Sequence, residues 1–72
     1  MKRTPVSSSN LSEVGYDPAT STLEIAFKQG GVYQYAGVPI NIHKGLMNAA
    51  SHGRFFDVHI KKAGYAVRKM ST

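Results

Sequence analysis

The chain has no cysteine. That removes disulfides, thiol nucleophiles, iron–sulfur clusters and every zinc site that needs a thiolate, and it is compatible with a reducing compartment. Acids are scarce as well: four stand among 72 residues. No stretch approaches the roughly 18 apolar residues of a membrane-spanning helix. Lys2 and Arg3 lead into Thr4-Pro5-Val6-Ser7-Ser8-Ser9-Asn10, which has no apolar core. The N-terminus is therefore not expected to be a targeting signal, and the cytoplasm is the expected location. Length is also in short supply. A chain of this size makes one domain at most and buries about 60% of the surface its unfolded state exposes.

What is present suffices for a small core, since 42% of the residues are hydrophobic and seven are aromatic. The net charge is +5. Residues 1–42 are balanced, with Lys2, Arg3 and Lys28 against Glu13, Asp17 and Glu24. Residues 43–72 set Lys44, Arg54, Lys61, Lys62, Arg68 and Lys69 against Asp57 alone, so the whole excess lies there. Such asymmetry suggests a polyanionic partner, whereas a solvated basic face would serve solubility alone.

The first half reads as strand. Leu11 to Tyr16 forms a first strand in which Leu11 and Val14 have opposite parity, so a bulge is expected. Asp17-Pro18-Ala19-Thr20-Ser21 is a turn. Thr22 to Lys28 alternates cleanly, with Leu23, Ile25 and Phe27 on one side. Gln29-Gly30-Gly31 breaks that strand, and Val32 to Tyr35 is a third. The second half reads as helix. Ile42, Leu46, Ala49 and Ala50 share one face of a segment from Ile40 to Ser51, with Pro39 in its first turn, Gly45 as an interior weakness and Gly53 as a cap. A second helix runs from about Arg54 to Lys62, its stripe made of Phe56 and Ile60, and Gly64 ends it.

The ordered set Ser8-Ser9-Asn10, Val14-Gly15-Tyr16-Asp17, Leu23-x-Ile25-x-Phe27, Gly30, Tyr33-Gln34-Tyr35, Val38-Pro39, Ser51-x-Gly53-x-Phe55-Phe56 and Ile60-Lys61 resembles the KTSC domain. That short bacterial and phage family is named after the C-terminal extension of some bacterial lysyl-tRNA synthetases. The resemblance covers about Val6 to Lys62. Asp57 stands where the family pattern has Asn, and Gly45 lies inside the expected helix. The resemblance implies an association with RNA by analogy with the synthetase context, and no established activity.

Tyr33-x-Tyr35 can be a base-stacking platform or part of the core. An odd loop at Gln29–Gly31 pairs Phe27 with Tyr33 and Ile25 with Tyr35, placing both tyrosines on the apolar face. An even loop buries Gln34 instead, so the odd loop is favoured. His43, His52 and His59 lie on different segments, with no pair spaced to ligate from one helix face. Ser51 and His52 are neighbours, and Asp57 and His59 face apart, so neither makes a nucleophile–base pair. Glu13 and Glu24 can approach across strands, but a hydrolase needs a cleft between them.

The expected architecture is α+β. A three-stranded antiparallel meander is followed by two helices on one face, with room for a short fourth strand near Tyr65–Val67. Residues 1–7 are expected to be a flexible N-terminal segment, 8–67 the domain and 68–72 a basic tail. The expected core is Leu11, Val14, Leu23, Ile25, Phe27, Tyr33, Tyr35, Ile42, Leu46, Ala49, Phe56 and Ile60. The expected function is that of a non-enzymatic module. It holds nucleic acid, RNA or tRNA, without sequence preference through Lys44, Arg54, Lys61, Lys62, Arg68 and Lys69. The alternative is a protein-interaction module or homodimer, motivated by Phe55, Val58 and the sheet edges. No cofactor, metal or membrane partner is expected.

Overall fold

Leu23, Ile25 and Phe27 alternate with Glu24 and Ala26, and that period of two makes β3 (Thr22–Phe27) the centre of a sheet. In the computed structural model, which describes residues 2–70, five antiparallel strands lie side by side in chain order. They are β1 (Arg3–Pro5), β2 (Leu11–Asp17), β3, β4 (Val32–Ala36) and β5 (Ala66–Met70). Helices α1 (Ile40–Asn48) and α2 (His52–His59) and a 3-10 turn (Lys61–Ala63) intervene between β4 and β5.

Leu11 and Val14 are both buried because the β2–β3 register shifts between Leu11 and Glu13, which is the expected bulge. In the Asp17–Ser21 turn, Asp17 Oδ1 accepts the Ala19 N–H at 3.0 Å. The β3–β4 hairpin keeps the predicted parity, but its register is displaced by two residues. Ile25 pairs with Tyr33 and Leu23 with Tyr35. Gly30 and Gly31 both have positive φ, and the Phe27 N–H donates to the Gly31 carbonyl at 3.1 Å, so Gly31 lies opposite Phe27 rather than inside the loop.

Both helices cover the face of Leu23, Ile25, Tyr33 and Tyr35. Leu46, Phe56 and Ile60 close the core there with Leu11, Val14 and Val38. Phe27, Tyr33 and Ile42 pack against it half-buried, as does Phe55. Val38 was not expected in the core. It is fully buried because Gly37 turns the chain inward at φ 75°, and the Tyr16 hydroxyl donates to its carbonyl at 2.6 Å.

Three expectations are corrected. First, α1 ends at Asn48 rather than Ser51. Ala49 is already extended, and Ser51 caps α2 by accepting the Arg54 N–H, which leaves Gly53 inside α2. A Cβ on Gly53 would collide with the Asn10 side chain, so this glycine serves close approach. Second, Gly45 has a use of its own: a Cβ there would lie 2.6 Å from Cζ of Phe55, at the crossing of α1 and α2. Third, the sheet extends past both proposed ends. Arg3–Pro5 pairs with β2, inside the segment read as flexible. Ala66–Met70 pairs with β4, so Arg68 and Lys69 are strand residues rather than a tail.

The other sheet face carries no helix. Arg3, Gly15, Glu24, Gln34 and Arg68 lie opposite one another across its five strands. Glu24, 9% exposed, accepts from Arg3 at 3.2 Å and from Gln34 at 2.8 Å, and Arg68 donates to Gln34 at 3.3 Å. Arg3 also holds Glu13 at 3.1 Å. The two glutamates therefore flank a guanidinium instead of an acid–base cleft.

Candidate nucleic-acid interface

Four rings meet where the β3–β4 hairpin passes the C-terminal half of α2. Tyr33 is edge-on to Phe27, Phe27 to Phe56 and Phe56 to Tyr35, each pair with centroids 5.5 Å apart. This herringbone follows from parity. Phe27, Tyr33 and Tyr35 share the covered face, and Phe56 reaches down from α2. Above the rings opens a cleft of about 480 Å³, also lined by Asn10, Gln29, Gly30, Asp57 and Lys61. Asn10 is held at its wall by the loop before β2. Its side-chain oxygen accepts from Ser8 Oγ, and its carbonyl accepts the Lys28 N–H.

The core reading holds fully for one tyrosine and in part for the other. Tyr35 is 8% exposed and its ring is core, while Tyr33 is half-buried at the rim. Burial pushes the Tyr35 phenol above its ordinary pKa, and the neighbouring Tyr33 pushes it the same way, so the Tyr35 hydroxyl is neutral at physiological pH.

The six basic positions are all exposed. Lys61 enters the cleft. Lys69 lies opposite Tyr33, and its Cε would stand 4.0 Å from a Gly31 Cβ, which places it beside the ring cluster. Lys62 meets Asp57 at 3.6 Å. Ile60 leaves helical geometry at φ −121°, so the residues beyond it are off the α2 wheel, and Lys62 rather than the i+4 residue Lys61 meets Asp57. Arg54 lies in a separate groove with Phe55, Val58 and His59. Lys44 stands on α1. Arg68 turns to the opposite face of the sheet, with Gln34. Asn10 and Gln29 are cleft residues that the sequence did not single out. Both come from the loops that flank the strands.

The histidines separate. His43 stacks on Tyr16 at 4.8 Å, and burial lowers its pKa. The His52 Nδ1 lies 2.7 Å from the Leu46 carbonyl, joining α2 to the end of α1. His59 is exposed, with its ring against Phe55 at 4.3 Å. Among the described residues no three His, Asp or Glu side chains gather as a metal site, and no helix is long and apolar enough to cross a membrane.

These features define a small α+β domain, a five-stranded antiparallel meander with two helices on one face and a ring-lined cleft between them. The chain belongs to the KTSC domain family, whose pattern it matches over residues 7–65. It is 48% identical to a solved KTSC domain protein from Yersinia pestis over 97% of both chains, with a TM-score of 0.92. It is 40% identical over 65 residues to an uncharacterized protein of Stutzerimonas stutzeri, covering 90% of this chain and 92% of the other. A stretch of 46 residues, 64% of this chain, is 41% identical to part of a lysine–tRNA ligase of Nostoc sp. and spans only 8% of that enzyme.

Proposed function

We propose that the chain is a non-catalytic RNA-binding module that takes the phosphate backbone on its helix-bearing side, without reading sequence. One observation carries this reading. Of the six basic residues in the second half, only Lys62 has an acid within ion-pair distance among the described residues. Lys44, Arg54, Lys61, Lys62 and Lys69 belong to the helices, the turn or the covered side of β5, and Arg68 alone faces away. Uncompensated charge of this kind binds phosphate by releasing counterions. The likeness to a segment of lysine–tRNA ligases supports RNA as the polyanion. The alternative of a protein partner has less support, because the exposed large apolar residues Ile40, Val58 and Val67 sit on three different elements.

The test is an amide-shift titration of the labelled chain with a tRNA mixture at about 50 and 200 mM salt, a range over which phosphate contacts weaken strongly. Shifts at Lys44, Arg54, Lys61, Lys62 and Lys69 that fade at the higher salt are expected. A silent spectrum at low salt would remove the reading.

A further inference from the structure

We infer that the cleft between Tyr33 and Lys61 receives one unpaired nucleotide, its base against the Tyr33 ring and its phosphate on Lys61 and Lys69. The inference rests on the RNA reading above and adds to it the site that holds a base. Three observations carry it. Phe27, Phe56 and Tyr35 engage one another edge to face, so the cluster is a braced floor, and its outer member Tyr33 remains half-buried at the opening. An aromatic ring at an opening, backed by other rings, is a surface on which any base can stack. Polar groups converge above that floor. The Tyr33 and Tyr35 hydroxyls have no hydrogen-bond partner among the described residues, and the Asn10 and Gln29 amides offer donors and acceptors to a base edge. The charge beside it also has the required sign. Lys61 lines the cleft and Lys69 lies alongside Tyr33, while Asp57, the acid present, is drawn to Lys62. An ammonium ligand, the other common guest of aromatic rings, would meet these lysines and be repelled. A duplex presents its bases already paired and stacked, so the occupant is single-stranded.

The experiment compares a six-nucleotide adenosine RNA with a ribose-phosphate oligomer of equal length that lacks bases. The two carry the same charge. The chain has four tyrosines and no tryptophan, so quenching of tyrosine emission reports stacking directly. The base-bearing oligomer is expected to bind about 5- to 150-fold more tightly, the range of one stacked base, and to quench emission. Tyr33→Leu should abolish that difference while leaving the abasic affinity unchanged. Tyr33→Phe, which keeps the ring, should retain it. Lys61→Gln should weaken both oligomers. Equal affinity for the two oligomers overturns the base site and leaves the phosphate reading standing. Failure of both to bind at low salt removes both and turns the search to a protein partner. If Tyr33→Leu does not fold, amide shifts induced by the adenosine oligomer decide: shifts absent from Tyr33–Tyr35 and Phe56–Lys61 overturn the site.

Discussion

The two faces of the sheet are held by different physics, although the same strands make both. On the covered face, Leu23, Ile25 and Tyr35 are buried under Leu46, Phe56 and Ile60, and removal of apolar surface from water supplies the stability. On the open face, Glu24 reaches comparable burial with no helix above it, because Arg3 and Gln34 fold over its carboxylate. The first kind of stabilisation is not weakened by salt and is strengthened by salts excluded from the surface. The second depends on charge and on geometry, and it weakens in salt. The contrast also separates roles. The proposed RNA site lies on the apolar side, where rings serve fold and site together, while the ladder on the other side binds charge internally.

The largest expected effect is on the covered face. Phe56→Ala or Phe27→Ala removes a member of the ring cluster and should cost about 3–5 kcal/mol, enough to unfold a domain of this size. A melting curve like that of the parent would break the comparison at once. On the open face, Glu24→Ala leaves the Gln34 amide without its acceptor and should cost about 1–3 kcal/mol. That loss should shrink when the melts are repeated in high salt. A loss as large as that of Phe56→Ala would mean that the two faces are equals. Gly45→Ala sets a gain in helix propensity of about 1 kcal/mol against overpacking on Phe55, and a net loss of about 1 kcal/mol is expected. A more stable variant would show that Phe55 moves aside freely. The smallest effect is that of pH. Burial holds the His43 imidazole below its ordinary pKa, so the unfolded chain takes up that proton first. The contribution of the neutral ring is complete above about pH 6.5 and declines as pH falls below it. The melting temperature should therefore drop between about pH 7 and pH 5, and less so in His43→Gln. Equal drops in both proteins would assign the dependence to other groups.

Where the sequence was legible, one face of an element was uniformly apolar. The alternation of β3, the opposed parity of Leu11 and Val14, and the Phe56–Ile60 stripe each announced their place. The parity of the hairpin also put both tyrosines on the covered face, even though the register was displaced by two. Legibility failed where stability comes from elsewhere. Strand β1 is three residues long, contains Pro5, and is held by an arginine whose partner Glu24 lies two strands away. Strand β5 is exposed along most of its length, so no alternation marks it, and its register alone decides that Lys69 joins the cleft side while Arg68 leaves it. The break between the helices escaped notice because Ala49 and Ala50 suit a helix, and Ser51 outweighs them only by capping α2. The polar wall of the cleft, Asn10 and Gln29, comes from loops, where no periodicity exists to be read.

The strand order has a kinetic consequence. Pairings β1–β2, β2–β3 and β3–β4 join chain neighbours through short connections, whereas β4 meets β5 only after both helices have been laid down. The first three can zip as successive hairpins, and the fourth must close the longest loop. Strand β5 is thus the last piece to dock and, like β1, an exposed edge whose amides exchange faster than those of the central strands. Because β5 carries Lys69 to Tyr33, the rim of the cleft is completed only in that final step, and a ligand that grips Lys69 would hold the sheet shut.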